Sequence, residues 1–344
     1  MTSIDKAKLA VRSPADLIAA VPYLLGFHPA QSLVVTAMRG ERLVFAARCD
    51  LPHGDPALRQ SADYLVAVLR RQQSEAVLLL GYGAPEEVTP AVDAVRAACA
   101  DAGIVVFDAL RITGSRYWSY LCDEPSCCPA EGALFDPAAS AVAAAAVFAG
   151  EVALPDRESL VGELAPLTGK AREAMRLATA RAEERLVELL AGAGRRDLPG
   201  DWALRAAGAD AVAGALARRD APERLTDDEV AWLSLLLAHV PVRDHAWERI
   251  DDDERQLALW TALLRRVQPD LAAAPAALLG FAAWRAGRGA LAAVAVERAL
   301  QACPQYSLAL LLDEILRNGV APAVLDGWPQ FDQPAGSRTR CDPV

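Results

Sequence analysis

Aromatic residues are scarce in this chain, histidines are few, and there is no excess of basic charge. Phe, Trp and Tyr together make up 6% of the 344 residues, and there are four histidines. The formal net charge is −10, whereas a nucleic-acid-binding surface needs concentrated Lys and Arg. The composition therefore predicts an acidic protein without a nucleic-acid partner.

Long hydrophobic runs are also missing. The longest stretch of low polarity, residues 138–149, is too short to cross a bilayer. The first residues, Met1–Lys6, are charged and lack the apolar run of a signal peptide. We therefore expect a cytoplasmic chain without a membrane partner. In that compartment the seven cysteines are expected to be thiols or metal ligands rather than disulfides.

The familiar catalytic signatures are absent from the sequence. It contains no Gly-x-Ser-x-Gly elbow, no His-Glu-x-x-His helix, no Walker lysine and no Cys-x-x-Cys pair. Gly81-Tyr82-Gly83 follows an apolar run but lacks the third glycine of a nucleotide-binding loop. The residues therefore specify no reaction, and they leave open whether the protein is an enzyme.

The first 150 residues alternate between strand and helix patterns. Ser13 is a helix cap, and the helix it starts is expected to end near Val21 because Pro22 cannot continue the hydrogen bonds. Apolar runs at residues 32–38 and 42–49 predict a hairpin. Further helices are predicted at 59–71 and 85–100, and strands at 76–80 and 104–112. The prediction for residues 1–150 is an α/β domain: a mixed sheet with helical cover.

Residues 151–329 are expected to form an all-helical domain, because no convincing strand follows Asp156. Thr226 and Glu229 form a capping box. Small residues fall at the offsets of a single tetratricopeptide-like helix pair: Leu279, Gly280, Ala283, Gly287, Ala292, Val296, Ala299 and Pro304. This pattern predicts a helix-pair domain able to bind a protein partner. The polar segment 330–344 is expected to be a disordered tail.

The segment from Gly114 to Pro129 is rich in cysteine and aromatic residues. If it is extended, Arg116, Trp118 and Tyr120 share one face. An arginine beside aromatic rings can bind a phosphate or carboxylate, which makes these three residues candidate ligand contacts. The alternative is an aromatic edge strand whose arginine pairs with Asp123 or Glu124.

Cys122, Cys127 and Cys128 admit three interpretations. Structural zinc usually takes paired Cys-x-x-Cys half-sites, and adjacent cysteines rarely point at one ion, so zinc is disfavoured. If zinc does bind, a fourth ligand would come from His28, His53 or a carboxylate such as Glu131. The second interpretation is a reactive thiol whose pKa is lowered by the nearby Arg116. The third is that the cysteines only pack the loop against the sheet.

Two blocks of sequence resemble a known family. The first is Ser13-Pro14-Ala15-Asp16 through Phe27-His28-Pro29 to Val35. The second is Arg116-Tyr117-Trp118-Ser119-Tyr120-Leu121-Cys122 through Cys127-Cys128-Pro129 to Gly132. Together they resemble the actinobacterial family catalogued as domain of unknown function 4192. The resemblance implies a cytoplasmic protein from an actinobacterium, and it assigns no activity.

The sequence thus favours a regulatory or scaffold protein. Its α/β domain would bind a small anionic ligand, with Arg116, Trp118, Tyr120, His28 and Glu131 as candidate contacts, and its helices would bind a protein. The alternative is a thiol- or metal-dependent enzyme that acts on an anionic metabolite. That enzyme requires His28, Arg116 and a cysteine to meet in one cleft.

Overall fold

A six-stranded mixed sheet forms the centre of the N-terminal region. The computed structural model describes residues 11–40, 42–194, 199–251 and 253–326. The strand order is β2-β1-β3-β4-β5-β6. Its strands are β1 (Ser32–Arg39), β2 (Arg42–Asp50), β3 (Ala76–Tyr82), β4 (Val105–Thr113), β5 (Arg116–Ser119) and β6 (Ala133–Leu134).

Helices account for most of the remaining described chain. The first four are α1 (Pro14–Leu25), α2 (Asp55–Arg71), α3 (Pro85–Asp101) and α4 (Ala141–Phe148). The others are α5 (Arg157–Glu163), α6 (Gly169–Gly194), α7 (Gly200–Leu216), α8 (Asp227–Leu236), α9 (Val240–Trp247), α10 (Glu254–Arg266), α11 (Ala273–Arg285), α12 (Gly289–Ala302) and α13 (Ser307–Arg317). The prediction of a mixed sheet followed by helices is confirmed.

The sheet is built around one antiparallel hairpin and one parallel pair. β1 pairs antiparallel with both β2 and β3, so β2 and β3 run in the same direction on either side of it. β3 and β4 pair in parallel, and α3 connects them. The carboxyl ends of β3 and β4 therefore lie at the same edge of the sheet, where α/β folds commonly bind ligands.

Helices α2 and α3 cover one face of the sheet. Leu33 and Val35 of β1 and Leu79 of β3 pack there against α2 and against Val92 of α3. Strand residues that alternate with these point to the opposite face. We call that opposite face the α1 face, because residues of α1 approach it beside Tyr82 and Ile112.

Helix α1 corrects one sequence prediction. Ser13 caps the helix as expected, and its side chain accepts a hydrogen bond from the Asp16 backbone N–H at 3.1 Å. The predicted end near Val21 is wrong, since the helix continues through Pro22 to Leu25 and ends at Gly26, which has a φ of 81°. Pro22 is buried together with the five residues before it on α1, and we infer that this packing offsets the hydrogen bond that proline cannot donate.

The described chain divides into two compact units. The first comprises residues up to Ala165 together with Arg288–Val294 and Leu310–Val320. The second comprises Pro166–Gly287, Ala295–Ala309 and the residues from Ala321 onward. The domain limits inferred from the sequence stay a prediction, and the predicted tail at 330–344 lies outside the described residues.

The second unit is helical throughout its described residues. Helix α6 packs along α8, α7 packs along α9, and α10 packs along α11. The capping box at the start of α8 is confirmed, since the Thr226 and Glu229 side chains each bond the other's backbone N–H. Among the described helices, none combines the length and the apolar character that crossing a bilayer requires.

Candidate functional site

A cavity of about 440 Å³ opens at the carboxyl ends of β3 and β4 in the first unit. Ile18 and Pro22 of α1 form part of its wall. The remaining lining includes side chains from the strand ends and the adjoining loops: His28, Gln31, Tyr82, Ile112, Thr113 and Phe135. The volume lies within the range of small-molecule sites in proteins.

Gln31 forms a constrained corner of the cavity. Its φ of 43° lies in the left-handed region, which is uncommon for residues other than glycine. Its side-chain Nε2 donates a hydrogen bond to Glu87 Oε2 at 2.6 Å. This bond ties the loop before β1 to the first turn of α3, and strained backbone of this kind occurs more often at functional sites than elsewhere.

The glycines of Gly81-Tyr82-Gly83 are explained by close packing. A Cβ added at Gly81 would lie 2.1 Å from a methyl group of Val88, on α3. A Cβ added at Gly83, whose φ is 150°, would lie 2.6 Å from Gln31 Oε1. The two glycines therefore let α3 and the Gln31 side chain approach the end of β3.

Two buried hydroxyl groups lie beside each other on the α1 face. Ser32 and Tyr82 are partners in the β1–β3 register. Ser32 is completely buried and Tyr82 is 9% exposed. Within the described residues neither hydroxyl has a hydrogen-bond partner, and burial raises the pKa of Tyr82. An unpaired buried hydroxyl costs free energy, and Tyr82 is also one of the residues that line the cavity.

His28 lies at the rim of this cavity. Its backbone N–H donates to Leu154 O at 2.9 Å, which fixes the loop after α1. The side chain is exposed and contributes to the lining. The structure therefore places His28 at the cavity.

Arg116 lies on β5 and bonds to the turn before β6. Its Nη1 donates to Glu131 O at 3.2 Å and to Gly132 O at 2.6 Å. The predicted alternative, a pair with Asp123 or Glu124, is not among the ion pairs of the described residues. Part of the guanidinium's donor capacity is thus taken up by backbone carbonyls, and Glu131 contributes its carbonyl to this contact.

Trp118 and Tyr120 lie on the same face of the sheet as Arg116. Trp118 Nε1 donates to Ala130 O at 3.1 Å, and the Arg111 guanidinium lies 3.8 Å from the centre of its ring. The Tyr120 hydroxyl is 2.7 Å from Thr89 Oγ1, and its ring packs against the core under α2 and α3. All three side chains of the predicted ligand face therefore contact the protein itself.

The three cysteines of the loop after β5 converge. The Sγ atoms of Cys122, Cys127 and Cys128 all lie within 4.8 Å of one another. A hydrogen bond from the Cys128 thiol, followed by one from the Glu124 backbone, lowers the pKa of Cys122. Burial and the two neighbouring thiols raise the pKa of Cys128 to about 12. Cys127 and Cys128 therefore both direct their sulfur atoms towards Cys122, although adjacent cysteines were not expected to point at one ion.

The structure groups the candidate residues into separate places. His28 lines the cavity, but neither Arg116 nor a cysteine is among the described residues that line it. Phe135 lines the cavity and contacts Tyr117 edge-on, with ring centres 6.2 Å apart. Charge on Cys127 or Cys128 raises the pKa of Tyr117, after the larger effect of its burial. Tyr117 therefore contacts a residue of the cavity lining.

Gln31, Tyr82 and Thr113 line the cavity although no sequence pattern had marked them as site residues. Thr113 Oγ1 donates to Gly83 O at 2.7 Å and closes the gap between the two strand ends. Gly-Tyr-Gly at the end of a strand was the available signal, because glycines there mark a close approach of the backbone.

Comparison with known proteins gives one match. The model of the family described as Domain of unknown function (DUF4192) matches residues 14–323. No curated protein and no solved structure matches the chain.

Proposed function

The chain belongs to the DUF4192 family, and we propose that its first unit binds a small molecule in the cavity at the carboxyl ends of β3 and β4. One observation carries the proposal: a concave space of about 440 Å³ is lined by Tyr82, whose buried hydroxyl has no hydrogen-bond partner among the described residues. A largely apolar cavity with a few polar groups is the usual form of a small-molecule site.

The lining favours an uncharged ligand. Among the described residues, no Arg or Lys lines the cavity. The amino end of α3, which would attract an anion, carries Glu86 and Glu87 in its first turn. His28, Gln31 and Thr113 supply polar contacts, while Ile18, Pro22, Ile112 and Phe135 supply apolar ones. The ligand that fits best is a neutral metabolite with an apolar body and one or two hydrogen-bonding groups.

A fragment screen with a blocked variant tests this proposal. Ala30 is exposed and lines the cavity, so Ala30→Trp is expected to fill its mouth. Ala180→Trp, at an exposed position of α6 in the second unit, is the matched control. Neutral fragments should give saturation-transfer NMR signals with the wild type and the control and lose them with Ala30→Trp. Equal signals from all three proteins would contradict the proposal.

A second candidate function, protein binding, concerns the helical unit. We propose that the tetratricopeptide-like pattern across α11 and α12 belongs to a helical scaffold for a protein partner. Its small residues Ala283 and Ala299 are buried, as close helix packing requires. Exposed apolar side chains, Val187 on α6 and Trp202 on α7, provide contact surface.

Affinity capture with surface variants tests the second candidate. A protein captured from the native cytosol by the wild type should be lost with Trp202→Ser. Capture should survive Phe148→Ser, which removes an exposed aromatic ring from the first unit. If Trp202→Ser captures the same protein as strongly as the wild type, this surface is not the docking site.

A further inference from the structure

The loop after β5 brings together three thiols that neither proposed binding function uses. Cys122, Cys127 and Cys128 come from a span of seven residues, and their Sγ atoms lie within 4.8 Å of one another. Within the described residues they form the group able to hold a metal ion. Cys127 is exposed, while the other two are half-buried.

Backbone hydrogen bonds set this geometry before any ion binds. The Cys122 N–H donates to Ser119 Oγ at 3.1 Å, which anchors the loop to the end of β5. The N–H groups of Cys127 and Cys128 both donate to Glu124 O, at 3.0 Å and 2.7 Å. The turn formed by these two bonds returns the adjacent cysteines to Cys122. A site held in shape by its own backbone loses little conformational entropy when an ion binds.

The distances between sulfur atoms suit a tetrahedral ion. Zn–S bonds of about 2.3 Å in tetrahedral geometry place neighbouring sulfurs about 3.8 Å apart. The Sγ atoms of Cys127 and Cys128 are 3.8 Å apart. Since no pair in the cluster exceeds 4.8 Å, sulfur displacements of at most about 1 Å complete the tetrahedral geometry.

We propose that Cys122, Cys127 and Cys128 bind one Zn²⁺ ion as three thiolates, with the fourth coordination position open to solvent on the Cys127 side. Binding replaces three S–H bonds by three Zn–S bonds and releases up to three protons to solvent. Three protein ligands plus an open position is the arrangement of catalytic rather than structural zinc sites. The proposal is independent of the cavity, because none of the three thiols lines it.

Metal stoichiometry and serine variants test the proposal on the full chain. The reduced protein, incubated with Zn²⁺ and desalted, should retain about one zinc per chain by elemental mass spectrometry. Co²⁺ in place of Zn²⁺ should give thiolate-to-metal charge-transfer absorption and the intense visible bands of a tetrahedral site. Cys122→Ser, Cys127→Ser and Cys128→Ser should each weaken Zn²⁺ binding more than about tenfold in chelator competition. Cys303→Ser, a half-buried thiol elsewhere in the chain, is the control and should bind as the wild type does.

A labelling experiment on the wild type removes the dependence on variant folding. With Zn²⁺ bound, Cys122, Cys127 and Cys128 should resist alkylation, and a chelator should restore their reactivity. Cys303 should react at the same rate in both conditions. The proposal is overturned if reduced protein binds neither Zn²⁺ nor Co²⁺, if fewer than three of the thiols are protected, or if Cys303→Ser loses as much affinity as the loop variants.

Discussion

At the scale of single residues, two tyrosines of the first unit differ in what surrounds their hydroxyl groups. The Tyr82 hydroxyl is buried and has no hydrogen-bond partner among the described residues. The Tyr120 hydroxyl lies 2.7 Å from Thr89 Oγ1. Because an unpaired buried hydroxyl is destabilising and a paired one is stabilising, the same substitution has opposite effects at the two positions.

We expect Tyr82→Phe to raise the free energy of unfolding by about 1 kcal/mol in the ligand-free protein, since it removes an unsatisfied hydroxyl. Tyr120→Phe should lower it by about 1 kcal/mol, since it leaves Thr89 without this partner. Urea unfolding of the three proteins measures both values. Destabilisation by Tyr82→Phe as large as that by Tyr120→Phe would mean that Tyr82 has a partner such as a bound water.

Cys122 and Cys128 are expected to differ in their reactivity. A hydrogen bond from the Cys128 thiol, and a weaker effect of one from the Glu124 backbone, lower the pKa of Cys122. The pKa of Cys128 is instead raised to about 12, mainly by burial. A lower pKa means a larger thiolate fraction at neutral pH, and the thiolate is the nucleophile. With metal removed by a chelator, iodoacetamide should therefore modify Cys122 well before Cys128 between pH 7 and about pH 9.

Peptide mass mapping of the alkylation time course checks this order. In Cys128→Ala the side chain no longer donates a hydrogen bond, so the largest cause of the lowered Cys122 pKa is removed. The rate profile of Cys122 should then shift to higher pH. The explanation fails if Cys128 reacts first, or if the profile of Cys122 is the same in this variant.

At the scale of elements, helix α7 carries two glycines in different surroundings. A Cβ added at Gly208 would lie 2.3 Å from a methyl group of Val242, so this glycine permits the close approach of α9. At Gly214 an added Cβ would meet no atom within 4 Å. Neither glycine has a positive φ. An alanine substitution at Gly208 therefore reports on helix packing, whereas one at Gly214 reports on intrinsic helix propensity.

Gly208→Ala should destabilise the protein by about 2 kcal/mol, because the added methyl group forces α7 and α9 apart. Gly214→Ala should stabilise it by about 0.5–1 kcal/mol, because alanine has the better helix propensity. Chemical denaturation followed by far-ultraviolet circular dichroism measures both changes. Equal effects of the two substitutions would show that α7 does not pack on α9 through Gly208.

The elements that local chemistry determines were predictable from the sequence. The β1–β2 hairpin, the Ser13 cap and the Thr226 capping box are confirmed, because each depends on residues a few positions apart. The continuation of α1 through Pro22 was not predictable from the sequence, because it depends on the packing of a buried helix. The same reason applies to the cavity: neither the unpaired hydroxyl of Tyr82 nor the positive φ of Gln31 is visible before the strands are paired.

The thiol loop shows what residue spacing alone cannot decide. The sequence disfavours a shared metal because Cys127 and Cys128 are adjacent. Two hydrogen bonds to Glu124 O turn the backbone so that both sulfurs approach Cys122. The concentration of cysteines thus identified the loop as a candidate, but the direction of their side chains required the fold.

At the scale of the whole molecule, the chain contributes to its first unit from three separated segments. The segment Leu310–Val320 belongs to that unit although it is far from it in sequence. Tyr64 on α2 donates to Arg317 O at 2.5 Å, and Gln72 Nε2 donates to Gly319 O at 2.6 Å. Arg71 bonds to Asn318 Oδ1. The last residue of α13 and the two residues after it therefore supply hydrogen-bond acceptors to side chains of α2.

Truncation tests whether these contacts stabilise the first unit. A chain that ends at Leu316 loses all three acceptors, whereas one that ends at Asp326 retains them. We expect the shorter chain to be about 2 kcal/mol less stable, because each lost hydrogen bond contributes about 1 kcal/mol and the outer ones are partly exposed.

Amide hydrogen exchange should become faster in peptides covering residues 64–72 of α2 and stay unchanged in peptides from α7 of the second unit. The chain ending at Asp326 should match the full-length protein in both measurements, since it retains all three acceptors. Unchanged protection of α2 in the shorter chain would mean that this helix is held in place by the sheet alone.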